Sequence, residues 1–353
     1  MPVRAVFFSL FLACLGILGS TLAWSQNAFH RLTSEVKLKI ESPDWDYLAL
    51  DPVRSWLFIG ARGDGALVFD LSTQKLVKKI QYSEGANAIT LVQEFDRAYT
   101  TNSDGTSTVF RLSNLEFLEK IKLGDDADAG YYDPATKQVI FMRSDSREMT
   151  FVAADTGKIR SRMKTNSKKL EATVADGSGH IFTALRDRNS VIKVGMLDYK
   201  VISEWPVPGC DGANGLAFDR LNHRLFIGCR GAQAALVVLN ALTGELISKM
   251  EIGRGNDGVI FDPETHLIYA SGGVDANLVI YRQKTADHYE LVEATTTRPN
   301  ARTMVLHPVT KRIHMVTAEG TVDPSLPVNR SVSPFYPNRY LTNSLTVLTY
   351  SNH

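Results

Sequence analysis

The sequence predicts an all-β chain: seven copies of a four-stranded antiparallel unit, closed into a ring as a seven-bladed β-propeller. Three observations carry this. A short pattern recurs through the chain, clearest in "DGANGLAFDRLNHRLFIGC" from Asp211 and "GNDGVIFDPETHLIYAS" from Gly255. It comprises an acid or amide, a small apolar run, a turn and a second apolar run. The turn markers Asp51, Val92, Asp133, Asp176, Asp219, Asp262 and His307 are spaced by 41, 41, 43, 43, 43 and 45 residues. Each copy holds four short runs rich in Val, Ile, Leu, Phe and Tyr, separated by turn residues, and no segment of useful length shows helical periodicity. Four strands at a period of 40–45 residues is the signature of a propeller blade. A lone blade leaves both faces wet, whereas a ring of blades covers them.

The elements follow in chain order. Residues 1–25 read as a removed export signal: Arg4, an apolar stretch from Ala5 to Leu18, then the small residues Ala23 and Ser25. A retained anchor is the competing reading, but the apolar run is shorter than the roughly 20 residues of a membrane span. Lipid attachment at Cys14 is another, but the "LGILG" after it is still apolar. Residues 26–353 are expected to form one propeller domain, periplasmic or secreted and monomeric, with no membrane span once the signal is gone. "RLTSEVKLKI" (31–40) is an orphan strand, while the seventh copy stops at its third strand, "SLTVLTYS". Residues 31–40 are therefore expected to pair with 344–350 as the outer strand of the last blade. Residues 319–343 form an insertion with four prolines, Arg330, Arg339 and the aromatics Phe335, Tyr336 and Tyr340. An extended loop is expected there. It is a candidate lid or partner surface on the channel-mouth face, with packing on the blade edge as the plainer alternative.

Composition excludes several classes. The net charge is +1, 22% of residues are charged, and there is no polybasic run. Nothing therefore argues for nucleic acid or an anionic membrane surface. Without the signal, two cysteines remain, Cys210 and Cys229. They are too few for a structural zinc, and no Cys-x-x-Cys-His provides for c-type haem. Cys210 precedes the first strand of blade five and Cys229 ends the second. The hairpin register brings them within bridging range, so a disulfide is expected, with two buried thiols as the alternative.

"LALDPVRSWLFIGARGDGALVFDLSTQKLVKKI" and "VIFDPETHLIYASGG" resemble the repeat of the bacterial YVTN (YncE-like) seven-bladed propellers. The likeness runs over the whole mature chain. It implies a binding protein or scaffold and specifies no ligand.

Five residues before each turn marker stands a polar residue: Asp46, Asn87, Asp128, Glu171, Asn214, Asp257 or Arg302. The next residue is small in five blades: Ala88, Ala129, Ala172, Gly215 and Gly258. The seven polar positions are expected to ring one channel mouth. They could serve only to cap the turns, as Asn and Asp commonly do, or they could bind a ligand. Several carboxylates at one mouth need a cation, a ligand amine or Arg302 to compensate them. Oxygen-only ligation would suit Ca²⁺ or another divalent cation. Arg62, Arg143, Arg186, Arg188 and Arg230 fall in loops on the same face. "GANGLAFD" and "NDGVIFD" also resemble gluconolactonase-type propellers. That likeness implies a metal held by Asn214 and Asp257, with Asn87 a candidate further ligand and Asp46 in place of the family's first-blade Glu. No nucleophile–base motif such as Gly-x-Ser-x-Gly is present. The expectation is a non-enzymatic scaffold that binds a small molecule or protein partner, with no cofactor required. A metal-dependent lactonase is the alternative.

Overall fold

The computed structural model describes residues 1, 29–327 and 337–352. Residues 2–28, which hold Cys14 and nearly all of the segment expected to be an export signal, lie outside the described residues, as do Arg330, Phe335 and Tyr336.

Seven four-stranded antiparallel sheets form the ring. Blade one runs Leu48–Asp51, Trp56–Gly60, Ala66–Asp70 and Lys75–Lys79, from the channel outward. Blades two to six repeat this order. Blade seven takes Met304–Leu306, Ile313–Thr317 and Thr346–Ser351 from the C-terminal end, and Arg31–Lys37 as its outermost strand. Arg31 pairs with Ser351 and Lys37 with Thr346. The chain ends thus close the ring, as the orphan strand requires. The only helical elements among the described residues are two three-residue 3₁₀ turns, Gln93–Phe95 and Arg186–Arg188. The insertion is less irregular than expected, because Gly320–Thr321 pairs with Arg339–Tyr340 as a short ribbon.

The blades repeat because their middle strands are apolar on both sides. Each of the seven hydrophobic clusters spans one junction. Phe58, Val68, Ile89 and Phe110 join blades one and two, and Trp45, Leu57, Phe69, Val316 and Val347 join blades seven and one. The inner strands are stitched as well. Tyr47 N–H donates to Asn87 O (2.9 Å) between blades one and two. Thr101 Oγ1 donates to Asp128 O (3.0 Å) between two and three. Leu170 N–H donates to Ser144 Oγ (3.2 Å), then Gly212 N–H to Asn189 Oδ1 (2.7 Å). Asn214 Nδ2 donates to Asp257 Oδ1 (2.9 Å), Ser271 Oγ to Arg302 O, and Thr303 Oγ1 to Asp46 O (2.8 Å). No junction lacks such a bond.

The turn markers have a defined task. Asp51, Asp133 and Asp219 each accept the backbone N–H groups two and three residues on. This is an Asx turn. A residue three or four positions after each marker takes the left-handed conformation, from Ser55 (φ 56) to Lys311 (φ 55). Blade two has Val92, which cannot accept. There the 3₁₀ turn intervenes and Asp96 N–H bonds Gln93 O (3.1 Å). Blade seven uses His307, whose Nδ1 accepts from Val309 and Thr310 N–H (3.2 Å each).

Removing residues 29–37 is expected to lower the melting temperature and to cause concentration-dependent association through the uncovered strand Thr346–Ser351. A truncated chain that stays monomeric and melts like the parent would contradict this closure.

Blade seven is also the acid-sensitive one. Protonating Nδ1 of His307 puts a donor against two donors. Burial and the neighbouring Arg312 hold its pKa below the ordinary value. Burial, with His307 and Arg312, pushes His314 down to about 4. Both are neutral in the fold, so their contribution is complete above about pH 6.5 and is lost as pH falls toward 4. For the buried His314 the loss is on the order of 3 kcal/mol. His307→Asp keeps an acceptor at low pH and should narrow the drop in melting temperature between pH 6.5 and 4. An identical acid profile in the variant would clear this turn of responsibility.

Candidate functional site

The polar ring depends on how each inner strand begins. In blades two, four and five the register slips at the ring residue, between Ala86 and Ala88, Leu170 and Thr173, and Ala213 and Gly215. Asn87, Glu171 and Asn214 sit in these bulges, out of the ladder and free to turn toward the axis. In the other four blades the strand begins one or two residues later, at Leu48, Ala129, Val259 or Met304. Asp128 then stands one residue before its paired strand, and Asp46, Asp257 and Arg302 stand two before theirs.

These residues meet around a cavity of about 550 Å³. Six of the seven line it, and Asn214 lies buried just beneath. Asp46 accepts from Arg62 Nη2 (2.7 Å), and Asp44 accepts from Arg62 Nη1 (3.2 Å). Glu171 pairs with Arg186 (2.9 Å). Asp257 takes Arg230 on Oδ1 (2.8 Å) and Arg302 on Oδ2 (3.0 Å). Arg302 also donates to Trp45 O and lies 4.5 Å from the Trp45 ring centroid. Thus Arg62, Arg186 and Arg230 join the mouth. Arg143 and Arg188 do not: they pair with Asp125 and Glu148, and with Glu204, away from the cavity.

Asp128 differs from the rest. Among the described residues its carboxyl makes no hydrogen bond or ion pair. Burial, and then the Asp46, Glu171 and Asp126 carboxylates, push its pKa up to about 8 against partial relief from Arg62. Neighbouring Asn87 donates Nδ2 to Ala127 O (3.1 Å), while its side-chain oxygen meets no described donor.

Several site residues escaped the sequence pattern. Tyr47 is the main one. It occupies the place after the ring position that is small in blades two to six, and that exception was its only signal. Its hydroxyl donates to Glu171 across the channel (3.3 Å). Burial, then Glu171, Asp46, Asp128 and Asp257, raise its pKa well above the ordinary value. Carboxylates from blades one, three, four and six all act on it, which places the hydroxyl near the axis. Asp126, Asp145 and Lys169 come from loops that follow no repeat. The insertion reaches the rim: Pro337, Asn338 and Tyr340 line the cavity, and the Tyr340 ring lies 5.4 Å from that of Trp45.

The Asn214–Asp257 pair does not fit a divalent cation. Both Asp257 oxygens face guanidinium groups, and Oδ1 also accepts from Asn214. A dication would have to displace two buried positive charges. Among the described residues no group of three or more His, Cys, Asp or Glu side chains is placed to hold a metal. Cys210 and Cys229 are joined, with Sγ atoms 2.02 Å and Cα atoms 5.3 Å apart. This anchors the hairpin that ends next to Arg230.

No known family profile and no curated protein matches the chain. Solved structures do. Hydrazine synthase of Kuenenia stuttgartiensis is similar at 14% identity and TM-score 0.67, over 89% of this chain and 97% of that one. The RRP9 WD40 repeats give 8% and 0.72, over 91% and 97%. A chain of the mitotic checkpoint complex gives 10% and 0.71, over 89% and 96%. Likeness at such identities shows the propeller fold alone.

Two substitutions separate structural from functional charge. Asp257→Ala leaves buried Arg230 and Arg302 facing each other and is expected to cost about 3–5 kcal/mol. Asp128→Asn should do the reverse. A carboxyl raised from its ordinary 3.8 to about 8 weighs on the fold increasingly as pH climbs between those values. The variant should therefore melt several degrees higher than wild type at pH 8 and alike at pH 4. Equal melting at pH 8 would place Asp128 in a compensated environment.

Proposed function

We propose that this chain is an exported, YVTN-type propeller that binds a small polar ligand at its channel mouth and performs no chemistry on it. One observation carries the reading. Six blades send their ring residue to a single cavity and blade five sends Arg230, while the longest insertion reaches the rim of that cavity. Turn capping is done elsewhere, by Asp51 and its counterparts at the opposite ends of the inner strands, so capping does not account for the ring. The disulfide is compatible with an oxidising compartment. A lactonase route lacks its metal donors, as above. The order-of-magnitude gain on ligand binding, about 2.7 kcal/mol at a hundredfold excess over the dissociation constant, is enough to read by thermal shift.

The test is a thermal-shift screen of polar metabolites on the mature chain, with hits mapped by hydrogen exchange. Protection is expected at residues 124–128, 165–171 and 337–340. Hits that shield only the outer strands or the opposite face would sink the reading. A protein captured on the mouth face, with no small ligand found, would favour a partner scaffold.

A further inference from the structure

We propose that the mouth cavity recognises its ligand through a protonated amine seated between Asn87 and Asp128. This rests on the mouth being the binding site and specifies what binds there.

The argument begins with which groups lack partners. Asp46, Glu171 and Asp257 are each neutralised by an arginine of the protein. On the side formed by blades two and three the pattern stops. Asp128 has no partner among the described residues, and Asn87, only 6% exposed, keeps a side-chain oxygen without a donor. Both face the cavity. Two acceptors on adjacent blades, open to the cavity and met by no described protein donor, suit a group that brings donors. An ammonium has that chemistry, with several N–H donors and no acceptor. A carboxylate or phosphate ligand would add acceptors to acceptors.

The surroundings favour the same choice. Asp126 and Asp145 stand at the rim on this side, and burial together with Asp145 raises the Asp126 pKa. Lys169 is the cation of this rim, and it acts on Asp126. Below, Tyr47 crosses the axis to Glu171 and gives the cup a polar floor. Arg62 stands on this same side, its backbone bridged to Ala86; its guanidinium is engaged by Asp46 and Asp44 and gives Asp128 partial relief, while on the far side Arg186 is engaged by Glu171. The remaining lining is polar, which suits a compact hydrophilic amine better than a long alkyl chain.

A consequence follows for protons. In the free protein at neutral pH the Asp128 carboxyl is protonated, with its pKa pushed to about 8. An arriving ammonium favours the carboxylate, so binding expels that proton. Affinity should therefore rise with pH below about 8, by up to tenfold per unit, and level off above. Amines that keep their charge throughout this range make the dependence a property of the protein.

The probes are methylammonium, putrescine and agmatine, with propanol and acetamide as neutral counterparts. Binding is followed by NMR shifts on the labelled mature chain and by calorimetry in two buffers of different ionisation enthalpy. Amines are expected to shift resonances of Asn87, Asp128 and Tyr47 and to release close to one proton at pH 7. Asp128→Asn should weaken binding at least tenfold at pH 8 and abolish the proton release. The variant is expected to be at least as stable as wild type, so lost binding reports the site and not unfolding. Amines that bind equally well to Asp128→Asn, or neutral probes that bind as well as amines, overturn the proposal. An anionic compound that shifts the same resonances while the amines do not would overturn it and leave the mouth as a ligand site. Silence of the mouth toward every class of probe would remove both.

Discussion

The contact on which everything else depends is the junction between one blade and the next. A four-stranded sheet with apolar middle strands is unstable alone, and here each face finds cover only in its neighbour. Seven apolar clusters supply the area, and seven hydrogen bonds close to the axis set the spacing. Because Asn214 with Asp257, and Thr303 with Asp46, belong to these stitches, the mouth is not an ornament placed on a finished fold. Its geometry is that of the ring itself. A shift at any junction would move the polar residues relative to one another, and the rigidity of the whole circle is what can hold them in place.

The repeat was legible because sheet packing writes a strict rule into every copy. The period recurs in all seven copies, and the Asp turn marker and the small residue after the ring position each recur in five. The N-terminal strand was legible because three strands at one end and one at the other leave a single arithmetic solution. Charge partners were not. Arg62, Arg186 and Arg230 could be placed on the mouth face, but no local pattern distinguishes them from Arg143 and Arg188, which pair with carboxylates outside the cavity lining. That choice depends on loop paths of a few residues that do not repeat. Tyr47 was hidden for the opposite reason: it breaks the rule for its position, and a rule obeyed in five blades draws attention to those that obey it. The insertion reads as irregular from its prolines, and the short ribbon at its base depends on contacts that composition does not encode.

The electrostatics of the mouth are lopsided. Toward blades four to seven, acids and arginines are matched and mostly buried, and such pairs add as much to definition as to stability. Toward blades two and three, the Asp128 carboxyl has no ion pair and only partial relief from Arg62, and it shifts its protonation to remain there. A fold that only needed to be stable would place a hydrophobic or an amide at position 128. Retaining an acid that the surroundings penalise is the pattern expected where a binding partner supplies the missing charge.

The closing strand has a consequence in time. Thr33 bonds Thr349 across 316 residues of sequence (3.1 Å), so the first strand to be made is the last to be paired. Until the C-terminal segment arrives, Arg31–Lys37 has no place in any sheet and Thr346–Ser351 has no outer neighbour. Long-range pairing of this kind is slow and leaves edges open to other chains. Folding of this ring is therefore bound to resemble the closing of a clasp. Six blades can accumulate in sequence, and the whole remains vulnerable to intermolecular pairing until one late event joins beginning to end.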